Sequence, residues 1–429
     1  MIARNSRLQF ISAAAMALSL NSCRCTNEPT LRPAMNQPSV KPTIQPTTTV
    51  AAPTARATAT AKLQLTCLSG GVQEAKEKTN EARNAYLSLF GQKLANGTII
   101  LKRPDNDAVS EGIGFGGLIF SQTPQSFLEI NRGRRAYFLN DNGVMAWRVD
   151  NQGRKIGQES ASDGDQDWIA AEIAASGNSQ QQIQNDLSAF WRNHVKEVNG
   201  RLFFLATNGD WARRGDGREV YYPSYPDPHF LRSFAAYDQA HQWQQLAADI
   251  QVLNQAILNN QSQLGANGQN PMPAKVFVKV GDNGVYNVEN YYSTSRREGI
   301  KEADLKDNEL DSIRFFLRMG RAALLDNDQT AVQILNQIIT TANINEPASA
   351  HLMAKTPGAP SPLGYNNTLA RASYGLAMLG SGETAKAEGF FCSVFRDHKG
   401  SYFGEWDKAK NSYYDQSLII QILDLALAQ

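Results

Sequence analysis

Ser110-Glu111-Gly112-Ile113-Gly114-Phe115-Gly116-Gly117 is the stretch whose reading decides between architectures. Gly112, Gly114 and Gly117 loosely echo the G-x-G-x-x-G of a dinucleotide-binding turn, and that turn needs a strand directly before it. Arg103-Pro104-Asp105-Asn106-Asp107 comes first instead, which is turn chemistry. The dinucleotide reading is therefore set aside. What remains is a single acid among glycines, beside aliphatic and aromatic side chains. Glycine lets a backbone or a ligand come close, because no Cβ stands in the way. A carboxyl group in partly apolar surroundings has its neutral form favoured, as a general acid near neutral pH requires. The plainer alternative is that Glu111 caps or salt-bridges the start of a helix.

Outward from this stretch the recurring unit is helix, turn, helix. Residues 72–90 carry Ala75, Ala82, Ala85, Tyr86 and Leu89 at helical spacing. Weaker helical patterns cover 127–139, 167–175, 180–198, 229–240 and 243–258. Clearer ones cover 310–325, 329–342, 366–379, 383–395 and 413–428. Strand-like runs are few and short, at 98–101, 201–206 and 276–280. About twelve helices with short connections predict stacked α-hairpins rather than βαβ units. No strict repeat period shows in the side chains, so a closed ring of helix pairs is favoured over an open solenoid.

The chain has 429 residues and a formal net charge of +1, which gives no bulk electrostatic case for nucleic acid or an anionic membrane. Residues 1–22 read as a signal peptide: Arg4 and Arg7 precede an apolar run from Leu8 to Leu20. Leu20-Asn21-Ser22-Cys23 resembles a bacterial lipobox, which makes Cys23 the lipid attachment site and the anchor the chain's only membrane contact; simple cleavage to a soluble secreted protein is the alternative. Residues 23–66, rich in Pro, Thr and Ala, read as a disordered tether. Residues 67–429 form the folded domain, a monomer. Export permits a Cys67–Cys392 disulfide, and two free thiols are equally allowed. The five histidines are scattered and no Cys/His cluster has metal-ligand spacing.

Two carboxylate-bearing stretches complete the inventory. Ser160-Ala161-Ser162-Asp163-Gly164-Asp165-Gln166-Asp167-Trp168 packs three acids into five positions. An EF-hand loop fails here, because Trp168 stands at the glycine position and Ala174 where a bidentate Glu belongs. A plain N-cap at Asp163 or Asp165, before a helix starting near Trp168, is the bland reading. Asp311 and Arg314 are three apart in Leu310-Asp311-Ser312-Ile313-Arg314-Phe315-Phe316, the spacing of an ordinary helical ion pair.

Ser-Glu-Gly at 110–112, Ala-Ser-Asp-Gly-Asp at 161–165, Pro-Ser-Tyr at 223–225, Asp-x-x-Arg at 311–314 and Tyr-Tyr at 413–414 together resemble the family-8 glycoside hydrolases. Those are bacterial endo-acting glucanases with relatives acting on xylan and chitosan. The resemblance runs over roughly 84–428. The chain departs from the family's pattern at Ile113, Phe115 and Tyr222, has three residues (Gln166, Asp167, Trp168) before Ile-Ala where two are usual, and lacks the expected Pro-Asp-Trp near 276–281. The resemblance implies an all-α, six-hairpin α/α toroid with a cleft across one end and no cofactor. Glu111 matches the general acid, Asp311 the base that activates water, and Asp163 the acid that binds the distorted sugar. Arg314 matches a residue that holds the base and the sugar, Asp165 and Tyr225 are further substrate-binding residues, and Trp147 and Tyr414 stack on neighbouring rings. Two carboxyl groups far enough apart to admit a water give inversion at the anomeric carbon. The implied activity is that of an inverting endo-β-1,4-glucanase on cellulose-like or exopolysaccharide β-glucan. Alternatives are a xylanase, lyase or chitosanase on the same ring, or a non-catalytic carbohydrate-binding envelope protein. A chitosanase cleft should carry surplus carboxylates, and Arg213, Arg214 and Arg218 near Trp211 speak against it.

Overall fold

The computed structural model describes residues 62–94, 96–103, 106–175, 179–260, 272–291, 310–349, 368–404 and 412–429. Residues 1–61, which hold the expected signal peptide, Cys23 and most of the expected tether, lie outside the described residues, as does Trp406.

Twelve α-helices are present among the described residues: α1 Gly71–Phe90, α2 Ser110–Phe120, α3 Pro124–Gly133, α4 Ser162–Ala174, α5 Gln180–His194, α6 Pro228–Phe234, α7 Trp243–Asn259, α8 Leu310–Leu325, α9 Gln329–Thr341, α10 Thr368–Gly380, α11 Thr384–Arg396 and α12 Ser412–Leu427. The even-numbered helices form a closed ring, each packed on the next: α2 on α4, then α6, α8, α10, α12, and α12 back on α2. The odd-numbered helices form an outer layer, α3 on α2, α5 on α4, α7 on α6, α9 on α8, α11 on α10, and α1 on α12. This is the α/α toroid of six hairpins. The layering follows from side-chain chemistry. Inner α2, α4 and α10 are buried on nearly every face. Outer α9 buries the single stripe Ala331, Ile334, Leu335, Ile338 and Ile339, as an amphipathic helix does.

The glycines of the opening stretch lie inside a helix, and they set how closely α2 meets α4. A Cβ on Gly114 would stand 2.8 Å from Asp167 Cβ and 2.8 Å from the Gly164 carbonyl oxygen. One on Gly164 would stand 2.7 Å from the Ser110 carbonyl carbon. Backbone meets backbone here, so only glycine fits at this crossing.

Strands are more numerous than the sequence pattern predicts. Ten short ones make two two-stranded and two three-stranded antiparallel sheets among the described residues. Every strand lies in a connection from an outer helix to the next inner helix. The inner-to-outer connections at 121–123, 326–328 and 381–383 are tight turns. The elaborated end of the toroid is thus the one where the inner helices begin. A disulfide joins Cys67, ahead of α1, to Cys392 on α11, so first and last hairpins are covalently tied. Thr66 reinforces this by donating its N–H and its hydroxyl to Glu388 Oε1 at 2.6 and 2.7 Å.

Candidate active site

The N-terminal ends of the inner helices bring the polar residues together. Glu111, Asp163, Asp311 and Tyr413 are each the second residue of α2, α4, α8 and α12 respectively. Strand β3 (Asp107–Val109) runs straight into α2, pairing with β4 (Arg148–Asp150), and the Ser110 N–H donates to the Trp147 carbonyl at 3.0 Å. The start of α2 is therefore held against the backbone of Trp147. On α4 the Ser162 N–H bonds the Ala206 carbonyl at 3.1 Å, which pins the helix start six residues earlier than the apolar pattern at Trp168 suggests. Asp163 and Asp165 consequently sit in the first turn, and neither is the N-cap, which is Ala161.

Arg314 is the hub. Its side chain is fully buried, and Nη1 donates to Glu111 Oε2 at 2.7 Å and to Asp163 Oδ2 at 2.5 Å. Its guanidinium lies 4.9 Å from the Tyr225 ring centroid and 5.9 Å from those of Phe115 and Tyr414. The Tyr413 hydroxyl donates to Glu111 Oε1 at 2.8 Å. Asp163 is 1% exposed, and its Oδ1 has no hydrogen-bond partner among the described residues. Burial is the largest influence on Glu111 and raises its pKa; the Arg314 charge opposes this and the Asp163 charge adds to it. Asp311 lies one turn before Arg314 on α8, and its side chain is outside the described residues.

A second layer supports this one. Arg318 grips both oxygens of Asp167 at 2.5 and 2.8 Å, a buried bidentate pair. Asp227, the N-cap of α6, accepts from Arg321 and stands 3.5 Å from Arg318. Since Arg318 and Arg321 lie one and two turns beyond Arg314, α6 begins deeper in the ring than its neighbours. Tyr225, just before it, is held by the Gln166 side-chain amide, which donates to its carbonyl at 3.1 Å.

Two of the expected substrate-binding residues are engaged within the protein. Asp165 turns inward: it accepts the Met145 N–H at 2.9 Å and faces His194 Nε2 at 3.2 Å, so both its oxygens are engaged within the protein and it braces the start of α4. Tyr414 is 6% exposed and packs edge-on against Phe115 at a ring-centroid distance of 5.8 Å. Trp147 is 37% exposed, with the Arg148 guanidinium 5.6 Å from its ring. Tyr413 is the residue sequence reasoning passed over. The tyrosine pair was visible, but nothing in it says which hydroxyl meets the acid.

The site is a set of acids bridged by one buried arginine, at the N-terminal ends of the inner helices of an α/α toroid. Residues 54–269, half of the chain, match glycosyl hydrolases family 8, and the protein belongs to that family. It is 31% identical over 150 residues to Endoglucanase C of Ruminiclostridium cellulolyticum, a match covering 32% of this chain and 31% of that protein. The chain therefore spans about a third of the length of the curated relatives it matches. Among solved structures, the β-1,3-1,4-glucanase of Paenibacillus sp. X4 aligns with a TM-score of 0.65 at 17% identity, covering 83% of this chain and 93% of that one. The endo-β-1,4-glucanase CMCax of Acetobacter xylinum aligns with a TM-score of 0.59 at 15% identity, covering 82% and 98%. At these identities the structural likeness establishes the fold alone.

Proposed function

We propose that the protein is an exported inverting endo-β-1,4-glucanase. The observation that carries this reading is the Arg314 bridge between Glu111 and Asp163, with Asp311 one turn earlier on the same helix. Glu111 protonates the glycosidic oxygen, which its raised pKa supports. Asp311 takes the proton of the attacking water. Asp163, with an unengaged oxygen, receives a hydroxyl of the sugar at the cleavage point. Trp147 offers an exposed indole for stacking. Inversion requires the two working carboxyls to stand ~6.5–9.5 Å apart, leaving room for the water. The protein's similarity to Endoglucanase C supports β-glucan as substrate. The test is reducing-sugar release from β-glucan, carboxymethyl-cellulose, xylan and chitosan, with product stereochemistry followed by NMR. Release from chitosan or xylan alone would replace glucan as the substrate, and a retained anomer would refute the assignment of Asp311 as base.

The lipid anchor at Cys23 belongs to the same proposal, and the Cys67–Cys392 disulfide supports an oxidising compartment. Cys23→Ser should move the protein from the detergent-extracted membrane fraction to the soluble fraction at unchanged specific activity. A wild-type protein already soluble after export would leave signal cleavage without an anchor.

A further inference from the structure

The two oxygens of Glu111 are held by groups of different kinds. Oε2 accepts from Arg314 and Oε1 from the Tyr413 hydroxyl. Arg314 is permanently charged, so a proton on Oε2 would sit against a fixed cation. The proton of the acid form therefore rides on Oε1, whose second lone pair can still accept from Tyr413. The phenol itself remains protonated, because burial and the Glu111 charge push its pKa well above the ordinary tyrosine value.

A second observation points the same way. A Cβ on Gly112 would stand 3.1 Å from Tyr413 Cε2 and 3.4 Å from its hydroxyl oxygen. The residue after the acid is a glycine where the tyrosine ring passes on its way to Oε1.

We propose that Tyr413 is a positioning residue for Glu111, orienting its proton-bearing oxygen and strengthening its hydrogen bond as the carboxyl becomes a carboxylate. This rests on Glu111 being the general acid. When Oε1 gives its proton to the glycosidic oxygen, the carbon–oxygen bond breaks, its electron pair stays on the leaving oxygen, and Glu111 is left an anion. A hydrogen bond to an anion is roughly twice as strong as one to the neutral acid. Tyr413 therefore favours the transition state over the bound ground state. The other charged or titratable groups facing Glu111 among the described residues are Asp163 from α4, Arg314 from α8 and Tyr86 from α1. None of them is altered in the test.

The test uses the full chain with Tyr413→Phe and, separately, 3-fluorotyrosine at 413, a stronger donor of nearly the same shape. The readout is an infrared titration of the carboxyl band that disappears in Glu111→Gln. Tyr413→Phe should raise the midpoint by about one pH unit, move the alkaline limb of kcat up with it, and cost roughly tenfold in kcat with KM little changed. Fluorotyrosine should lower the midpoint. It carries the test alone should the phenylalanine variant not fold. A midpoint unmoved in the folded variants overturns the role of Tyr413, whatever the activity. A wild-type protein inactive on every polysaccharide overturns the proposed function instead, while the titration still decides Tyr413.

Discussion

Glu172 offers a test of the buried electrostatics that does not depend on substrate. It lies on α4 with its side chain fully buried, 3.5 Å from Arg134, which also pairs with Asp186 on α5 at 2.9 Å. One cation thus faces two acids in the interior, with its guanidinium 5.2 Å from the Trp168 ring centroid. Burial raises the Glu172 pKa to about 7; Arg134 pulls it down and Asp186 pushes it up. The unfolded chain holds this group near 4.5. Because the folded value is the higher one, the folded state binds the extra proton between these two pH values. The stabilisation is complete below the unfolded pKa and is lost as pH rises through about 7. At ~1.4 kcal/mol per unit, the group contributes about 2–3 kcal/mol less at pH 8 than at pH 5. Glu172→Gln keeps the shape of the neutral acid and cannot ionise. Urea unfolding at pH 5 and pH 8 should show variant and wild type nearly equal at pH 5, and the variant the more stable at pH 8 by about 2–3 kcal/mol. Taking the difference between the two proteins cancels the titration of carboxylates that do not interact with Glu172, leaving Glu172 and its coupled neighbour Asp186. A difference that stays constant between the two pH values would refute a buried, proton-holding Glu172.

Glu111→Gln should leave thermal unfolding unchanged and lower kcat by ~10²–10⁴-fold, since acid assistance is lost while the shape is kept; hydrolysis at the wild-type rate would exclude it as the acid. Asp311→Asn should still bind oligosaccharide in calorimetry while turnover falls by a similar ~10²–10⁴-fold, with partial recovery in azide. A loss of only a few-fold would reduce Asp311 to the helical ion-pair partner of Arg314. Gly114→Ala should lower the melting temperature and the activity together, because its Cβ would stand 2.8 Å from backbone at the α2–α4 crossing. Overpacking of this kind typically costs ~1–3 kcal/mol, and an unchanged melting curve would show that the crossing is looser than described.

Apolar periodicity is a local property, and where it is strong the sequence determines the elements. α8 has the limits that the pattern from Leu310 to Leu325 predicts, and β9 those of Val276–Val280. The motifs around Glu111, Asp163, Asp311 and Arg314 are also legible in the sequence, through their resemblance to the family, although each taken alone reads as a cap or an ordinary ion pair. Periodicity was silent where burial is paid for by a distant charge. α4 begins at Ser162 rather than near Trp168, because Asp163 meets Arg314 and Asp167 meets Arg318, each from 151 residues away. Read locally, three acids in five positions look like a solvated cap or an ion loop. Only the closing of the ring gives them buried partners. The same closing turned Asp165 towards His194, buried Tyr414 beneath the arginine, and brought Tyr413 to Glu111 across 302 residues. Hydrogen bonds of this reach depend on which helix ends meet in space, a property of the assembled toroid that no window of sequence contains.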